Sequence, residues 1–267
     1  MYQAILLDPV EWSRGAHVTV ASIRTATDNA DAGRCRVRLL GRFDLAGVQA
    51  ATVGGAGQRL VALLAINTGM VARWQAAQIL YPHTTDAQAT ANLRGALFRL
   101  HRCCPDTIAA TSTDIRLVAD VAVDYWAASL AARRLLDPAV AIADRDLADA
   151  VWEVFDQDLL PGWSEPWLVN ERERFHQLRL HALEALCTRL TAAGVHARAV
   201  DAGLAAVGAD PLRESARRAL IDAYLAEGNT CEALRQYNAF STLLYAELGL
   251  QPTETLRRHI SIAQTCG

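Results

Sequence analysis

Hydrophobic and polar positions along the chain change period several times, and each change predicts an element. Residues 1–34 carry only a short apolar start (Ile5, Leu6, Leu7) before Thr, Ala and Asp dominate. They read as an N-terminal extension, partly disordered. At 35–53 the period is two: Val37, Leu39, Phe43 and Leu45 alternate with Arg36, Arg38, Arg42 and Asp44, with Gly41 and Gly47 as punctuation. This predicts a short antiparallel sheet. Gly54-Gly55-Ala56-Gly57 reads as a turn leading a helix. Helical periodicity then predicts Gln58–Asn67, Ala72–Tyr81 (ended by Pro82) and a third helix from about Asp86 to Cys103. Thr85 and Gln88 have the spacing of a capping box at the start of that third helix, and Asp86 suits its positive end. Over 107–118, Ile108 and Ala110, a polar turn at Ser112-Thr113-Asp114, then Ile115 and Leu117 predict a hairpin.

Everything after Asp124 reads as helical. Asp124–Leu136 and Asp144–Phe155 form a predicted pair broken at Asp137-Pro138. A loop with Pro161-Gly162-Trp163 and Pro166 leads to a long helix over about Pro166–Ala192, and the two Trp, Trp163 and Trp167, are expected as packing anchors between helix pairs. A repeat follows. Gly194 and Gly228 are 34 residues apart, as are Leu186 and Leu220, Leu190 and Tyr224, and Ala199 and Ala233. That period, with a Gly turn and a small residue five later, is the tetratricopeptide pattern. A helix pair of this kind cannot bury its own apolar face and must stack on neighbours. Gly249 and Pro252 end the last long helix, and Thr253–Ala263 reads as a cap. The expected fold is mainly α with small antiparallel β: a winged helix-turn-helix over 35–118, then a tetratricopeptide-like all-α bundle over 119–267.

Composition removes several chemistries. All 26 basic residues of the 267-residue chain are Arg. Without Lys there is no Walker A phosphate loop, no kinase-type phosphate-binding Lys and no Schiff base. No Gly-x-Ser-x-Gly and no metal-ligand spacing occur, and Glu171 and Glu173, two apart on a helix, read with Arg172 and Arg174 as a solvated, salt-bridged face. Arg213 and Glu214, beside Pro211, are read as capping and local ion pairing at a helix start. The six Cys are scattered, as expected of buried free thiols in a reducing cytoplasm. No enzymatic activity, cofactor or metal is implied. No signal peptide and no membrane span are evident, so a cytoplasmic protein is expected.

Charge is unevenly distributed. Residues 35–118 hold nine Arg and four Asp, net +5, whereas 119–267 hold 14 Arg and 21 acids, net −7. Such asymmetry points to a nucleic-acid partner for the basic part. On the third helix, Leu93 shares a face with Ala89, Ala96, Leu97, Leu100 and Cys104, the predicted core stripe. The other side carries Gln88, Ala91, Gly95, Phe98, Arg99 and Arg102, flanked by Asn92 and Arg94. Small residues with three Arg and no acid suit a helix entering a DNA major groove, where Arg can grip phosphate or a guanine edge. Gln88, Asn92, Arg94, Phe98, Arg99 and Arg102 are therefore the candidate DNA-contacting side chains. Phe98 could meet a thymine methyl or pack against another part of the chain.

Several runs also resemble a family. Leu39-Leu40-Gly41-Arg42-Phe43, Arg59-Leu60-Val61-Ala62-Leu63-Leu64-Ala65-Ile66-Asn67 and Ala91-Asn92-Leu93-Arg94-Gly95-Ala96-Leu97-Phe98-Arg99-Leu100 are similar to the DNA-binding part of the Streptomyces antibiotic regulatory protein (SARP) family. Val123-Asp124-Tyr125-Trp126, Trp167-Leu168-Val169-Asn170-Glu171-Arg172-Glu173-Arg174, Asp210-Pro211-Leu212-Arg213-Glu214 and Glu247-Leu248-Gly249-Leu250-Gln251-Pro252 resemble its bacterial transcriptional activator domain. The resemblance covers about 36–262. It implies an OmpR-type winged helix whose third helix enters the major groove of double-stranded DNA, and a helical domain serving homodimerisation and contact with RNA polymerase holoenzyme. It also implies binding to promoter direct repeats, often at secondary-metabolite gene clusters. The family commonly has Ser or Thr where Phe98 stands and Arg where His101 stands, so this helix is bulkier and less basic. That departure motivates the alternative of a protein-interaction module with a vestigial DNA-binding domain.

Overall fold

The computed structural model describes residues 35–46, 53–141, 155 and 157–265. The N-terminal extension and the predicted helix at 144–155, apart from Phe155, lie outside the described residues. In chain order the elements are β1 (Arg36–Arg38), β2 (Asp44–Ala46), α1 (Gly55–Ile66), β3 (Val71–Ala72), α2 (Arg73–Leu80), α3 (Asp86–Cys103), β4 (Ile108–Ala110), β5 (Asp114–Leu117), β6 (Ala122–Val123) and α4 (Asp124–Leu136). A 3-10 turn at Pro166–Leu168 then opens α5 (Val169–Ala192), followed by α6 (His196–Ala209), α7 (Glu214–Glu227), α8 (Thr230–Leu248) and α9 (Glu254–Thr265). The mainly helical fold expected from the sequence is the one observed.

Two small sheets frame the first part. β1 pairs with β2 antiparallel, Val37 opposite Leu45. It also pairs with β6 in parallel, Val37 opposite Val123, so this sheet is mixed rather than purely antiparallel. The second sheet, β3-β5-β4, is the wing: Ile108 lies opposite Leu117, and Val71 opposite Ile115. α1 packs on α2, α3 and β5, and its all-apolar run from Leu60 to Ile66 is buried throughout. α1 starts at Gly55, earlier than predicted. Gly57 is already inside it, with Val53 and Leu100 where a side chain would be.

The core of this part does not stop at residue 118. Leu159, Leu160, Leu168 and Phe175 are buried in the same cluster as Leu39, Leu60, Leu63 and Leu93. Backbone pairing holds them there. The amide of Leu160 donates to the Leu39 carbonyl and that of Gly41 to the Asp158 carbonyl, each at 2.8 Å. Leu160 is the one non-glycine among the described residues with positive φ, 45°. Its carbonyl accepts from the Arg172 guanidinium, which also donates to Leu159 O at 2.9 Å. Arg172 therefore braces a strained corner and is not part of a solvated face. Asp124 adds a second tie: its carboxylate accepts from the amides of Leu39 (2.8 Å), Leu40 (3.0 Å) and Tyr125 (2.7 Å). Arg59 adds a third, pairing with Glu165 at 2.8 Å while donating to the Leu80 carbonyl at the end of α2. Trp163 stacks on Phe43, and Trp167 packs on the same cluster. Both Trp therefore anchor this loop to the winged helix, not one helix pair to another. The loop can reach that core only because Leu39–Gly41 leaves open backbone for it to pair with.

The repeat behaves as its spacing predicts. Gly194 and Gly228 adopt φ of 74° and 86°, the left-handed region that a tight interhelical turn needs. Ala199 and Ala233 are fully buried five residues later, as are Leu186 and Leu220 at the matching positions of α5 and α7. Arg213 and Glu214 stand at the start of α7, but their pairings are not local. Arg213 reaches Glu184 of α5 at 2.6 Å, and Glu214 accepts from the Thr253 amide at 3.0 Å before α9. These side chains join successive helix pairs.

Candidate nucleic-acid interface

The helix-turn-helix is α2, the turn Tyr81–Thr85, and α3. Gln78 donates to Asp86 at 2.6 Å across the turn. Thr85 caps α3 by accepting from the Gln88 amide at 3.4 Å. The reciprocal half of the capping box does not form, because the Gln88 side chain instead donates to Asn92 Oδ1 at 3.3 Å, one turn along the outer face. Ala89, Leu93, Ala96 and Leu100 are the buried residues of α3, matching the predicted stripe.

Of the six predicted side chains, Gln88, Arg94, Phe98, Arg99 and Arg102 are exposed and Asn92 is half-buried. Arg94, Arg99 and Arg102 take part in no ion pair among the described residues. Their charge is thus left for an external anion. A methyl group added at Gly95 would meet only the guanidinium of Arg99, at 3.3 Å, so no other element packs over this backbone. Phe98 is 65% exposed, which decides against its being an internal packing residue. The Arg102 guanidinium lies 6.0 Å from its ring centroid, so the pair shares one surface of stacked cation and aromatic.

The wing flanks this face. Arg73, the first residue of α2, holds it from both ends of its turn. Its amide donates to Thr113 O and its guanidinium to Thr111 O, each at 2.8 Å. A cleft of about 260 Å³ separates α3 from the wing, with Phe98 and His101 on one wall and Ile108 on another. Arg116 on β5 is exposed between buried Ile115 and Leu117 and has no partner among the described residues. It was not among the sequence-predicted contacts, although strict alternation in the hairpin already assigned it to the solvent side. Trp74 on α2 is likewise exposed.

Residues 119–261 match the family model described as the bacterial transcriptional activator domain. The chain belongs to that family. The bacterial transcriptional activator domain accounts for α4 through most of α9, and the resemblance to SARP-family transcriptional activators is borne out. The regulatory protein AfsR of Streptomyces coelicolor is 34% identical over 113 residues, 42% of this chain and 11% of AfsR. A solved structure of Mycobacterium tuberculosis EmbR, in complex with a low-affinity phosphopeptide, superposes with a TM-score of 0.59 at 22% identity. It covers 87% of this chain and 65% of the EmbR chain. The fold is therefore shared beyond the activator domain, while this chain spans only a small part of AfsR. No helix among the described residues is long and apolar enough to cross a membrane.

Proposed function

We propose that this protein is a sequence-specific DNA-binding transcriptional activator and not an enzyme. In this reading α3 enters the major groove of double-stranded DNA and the wing, carrying Arg116, lies over the neighbouring backbone. The carrying observation is the exposed face of α3, where Arg94, Arg99 and Arg102 form no ion pair among the described residues and only the Arg99 guanidinium lies over Gly95. Gln88 and Asn92, already bonded to one another, present amide groups suited to adenine edges. Promoter direct repeats occupied by a homodimer, recruitment of RNA polymerase holoenzyme, action in the cytoplasm, and a secondary-metabolite gene cluster as target extend the reading along the family resemblance.

Genome-wide capture of DNA fragments by the purified full chain would supply the operator. Affinity for it should fall with salt by about 0.9 log units per tenfold salt for each phosphate neutralised. The double variant Arg99→Ala/Arg102→Ala should lower that slope by up to about 1.8 if both contact phosphate. A flat salt response in the wild type, or an unchanged slope and affinity in the double variant, sinks the proposal. If no fragment is captured, the exposed Phe98–Arg102 surface becomes a protein contact and the interaction-module reading is favoured.

A further inference from the structure

The exposed face of α3 holds one residue whose place charge does not explain. Gln88, Ala91, Gly95, Phe98 and Arg102 recur at intervals of three and four, so they form one stripe on the side opposite Leu93. Ala91 and Gly95 are small, and Phe98 and Arg102 project at the C-terminal end of the stripe. Phe98 is the one large apolar side chain of α3 that is exposed, whereas Leu97 beside it packs on the core cluster. Its neighbour along the stripe is Arg102, whose guanidinium lies 6.0 Å from the ring centroid, one helical turn away. No acid stands between Ala87 and Pro105 to pair with that guanidinium along α3.

Two properties of this pair set what it can read. The ring offers apolar surface and no hydrogen bond, so on major-groove edges its match is the thymine C5-methyl. The guanidinium offers two parallel donors, and guanine presents two acceptors, O6 and N7, on the same edge. Contact with the ring removes rotamers that a lone exposed Arg samples, so the fork is held ready. The 6.0 Å between ring and guanidinium is less than two base-pair steps of about 3.4 Å each, so the bases they meet are neighbours.

Resting on the DNA-binding reading, we infer that Phe98 and Arg102 act as one reading unit for a thymine beside a guanine. The ring covers the thymine methyl, and Arg102 donates to O6 and N7 of the guanine in the adjacent base pair. Because the family commonly has Ser or Thr where Phe98 stands, this preference sets the chain apart. The test uses the shortest duplex that the full-length protein selects from a random pool, titrated by fluorescence anisotropy. Each thymine is replaced in turn by deoxyuridine, which lacks only the methyl, and each guanine by 7-deazaguanine, which lacks N7. One uracil should weaken binding about fourfold, the worth of one buried methyl-sized group. The 7-deazaguanine at the adjoining base pair should weaken it about fivefold or more. In Phe98→Ala the uracil effect should vanish and the 7-deazaguanine effect beside it should shrink. The salt slope of that variant should match the wild type, because an apolar contact releases no counterion. In Arg102→Ala the guanine effect should vanish and the uracil effect persist. Both side chains are exposed, so the variants should melt with the wild type. Undiminished binding with uracil at every thymine, a uracil effect that survives Phe98→Ala, or a sensitive thymine with no sensitive guanine beside it overturns the inference and leaves the DNA-binding reading standing. A selection that enriches no duplex overturns both.

Discussion

Gly203 and Gly208 lie on the same helix, α6, and differ chiefly in what stands over them, which replacing each with Ala measures. A side-chain carbon at Gly203 would stand 2.9 Å from Leu220 Cδ1 and 3.0 Å from both Cα and Cβ of Leu220 on α7. The first atom can swing aside; the Cα cannot, so α6 and α7 must separate. At Gly208 nothing lies within 4 Å. Helix propensity rewards both substitutions by up to about 1 kcal/mol, less at Gly208 because it sits one residue from the helix end. Forcing an extra carbon into a close-packed contact costs about 1–3 kcal/mol. With the full propensity gain, Gly203→Ala should therefore be net destabilising by up to about 2 kcal/mol, and Gly208→Ala neutral to slightly stabilising. Their difference, about 1–3 kcal/mol, is largely the crowding cost, since propensity mostly cancels. Urea unfolding followed by far-UV circular dichroism gives both values, compared at equal slope so that the midpoint reports stability. If Gly203→Ala proves as stable as Gly208→Ala, the close approach does not hold the pair together and the packing argument for the repeat fails.

Other consequences can be checked separately. Asp124→Ala strips the acceptor from the amides of Leu39 and Leu40, and urea titration should show a loss of about 2–3 kcal/mol, within the range for orphaned buried donors. Burial raises the Asp124 carboxyl above its ordinary value, outweighing the amides and Arg38 that favour its charge. The native chain then holds a proton where the unfolded one has lost it. That contribution to stability is full below the unfolded pKa and fades as pH rises through the folded one. Asp124→Asn should flatten this part of a stability–pH profile. Burial pushes the Cys187 thiol up to about 12, whereas Cys231 is exposed. Alkylation mapped by mass spectrometry in mildly alkaline buffer should mark Cys231 and spare Cys187 until unfolding. Phe98→Ser should leave the melting temperature within a degree or two while shifting DNA sequence preference, measured by selection from a random pool.

Elements whose signal is local were legible in the sequence. The ends of α3 followed from Thr85 and the apolar stripe, and the turns at Gly194 and Gly228 from a period that only stacked helix pairs impose. The two-residue strands β3 and β6 were not legible, because they carry no period of their own and form only where β5 and β1 offer an edge. Long-range partners were hidden for the same reason. Arg59 and Arg172 look like any surface Arg in the sequence, yet one is committed to Glu165 and Leu80 and the other to the Leu159–Leu160 corner. The candidate interface was read from charge distribution, family resemblance and amphipathicity, of which only the last places side chains on a face. Which of the nine Arg remain uncommitted depends on partners brought close by the fold, and on that account Arg116 emerged as free among the described residues while Arg59 is held.

The cluster that runs from Leu39 through α3 to Phe175 also sets an order of events during synthesis. A winged helix made only of residues 35–118 would leave the ribosome lacking Leu159, Leu160, Leu168 and Phe175, and with the amides of Leu39 and Gly41 unmatched. The winged helix cannot complete this core until some 57 further residues have been added, at about 5–20 residues per second a delay of several seconds. α3, packed in that cluster through Leu93 and Leu100, thus reaches its final setting only when the start of the activator domain is in place.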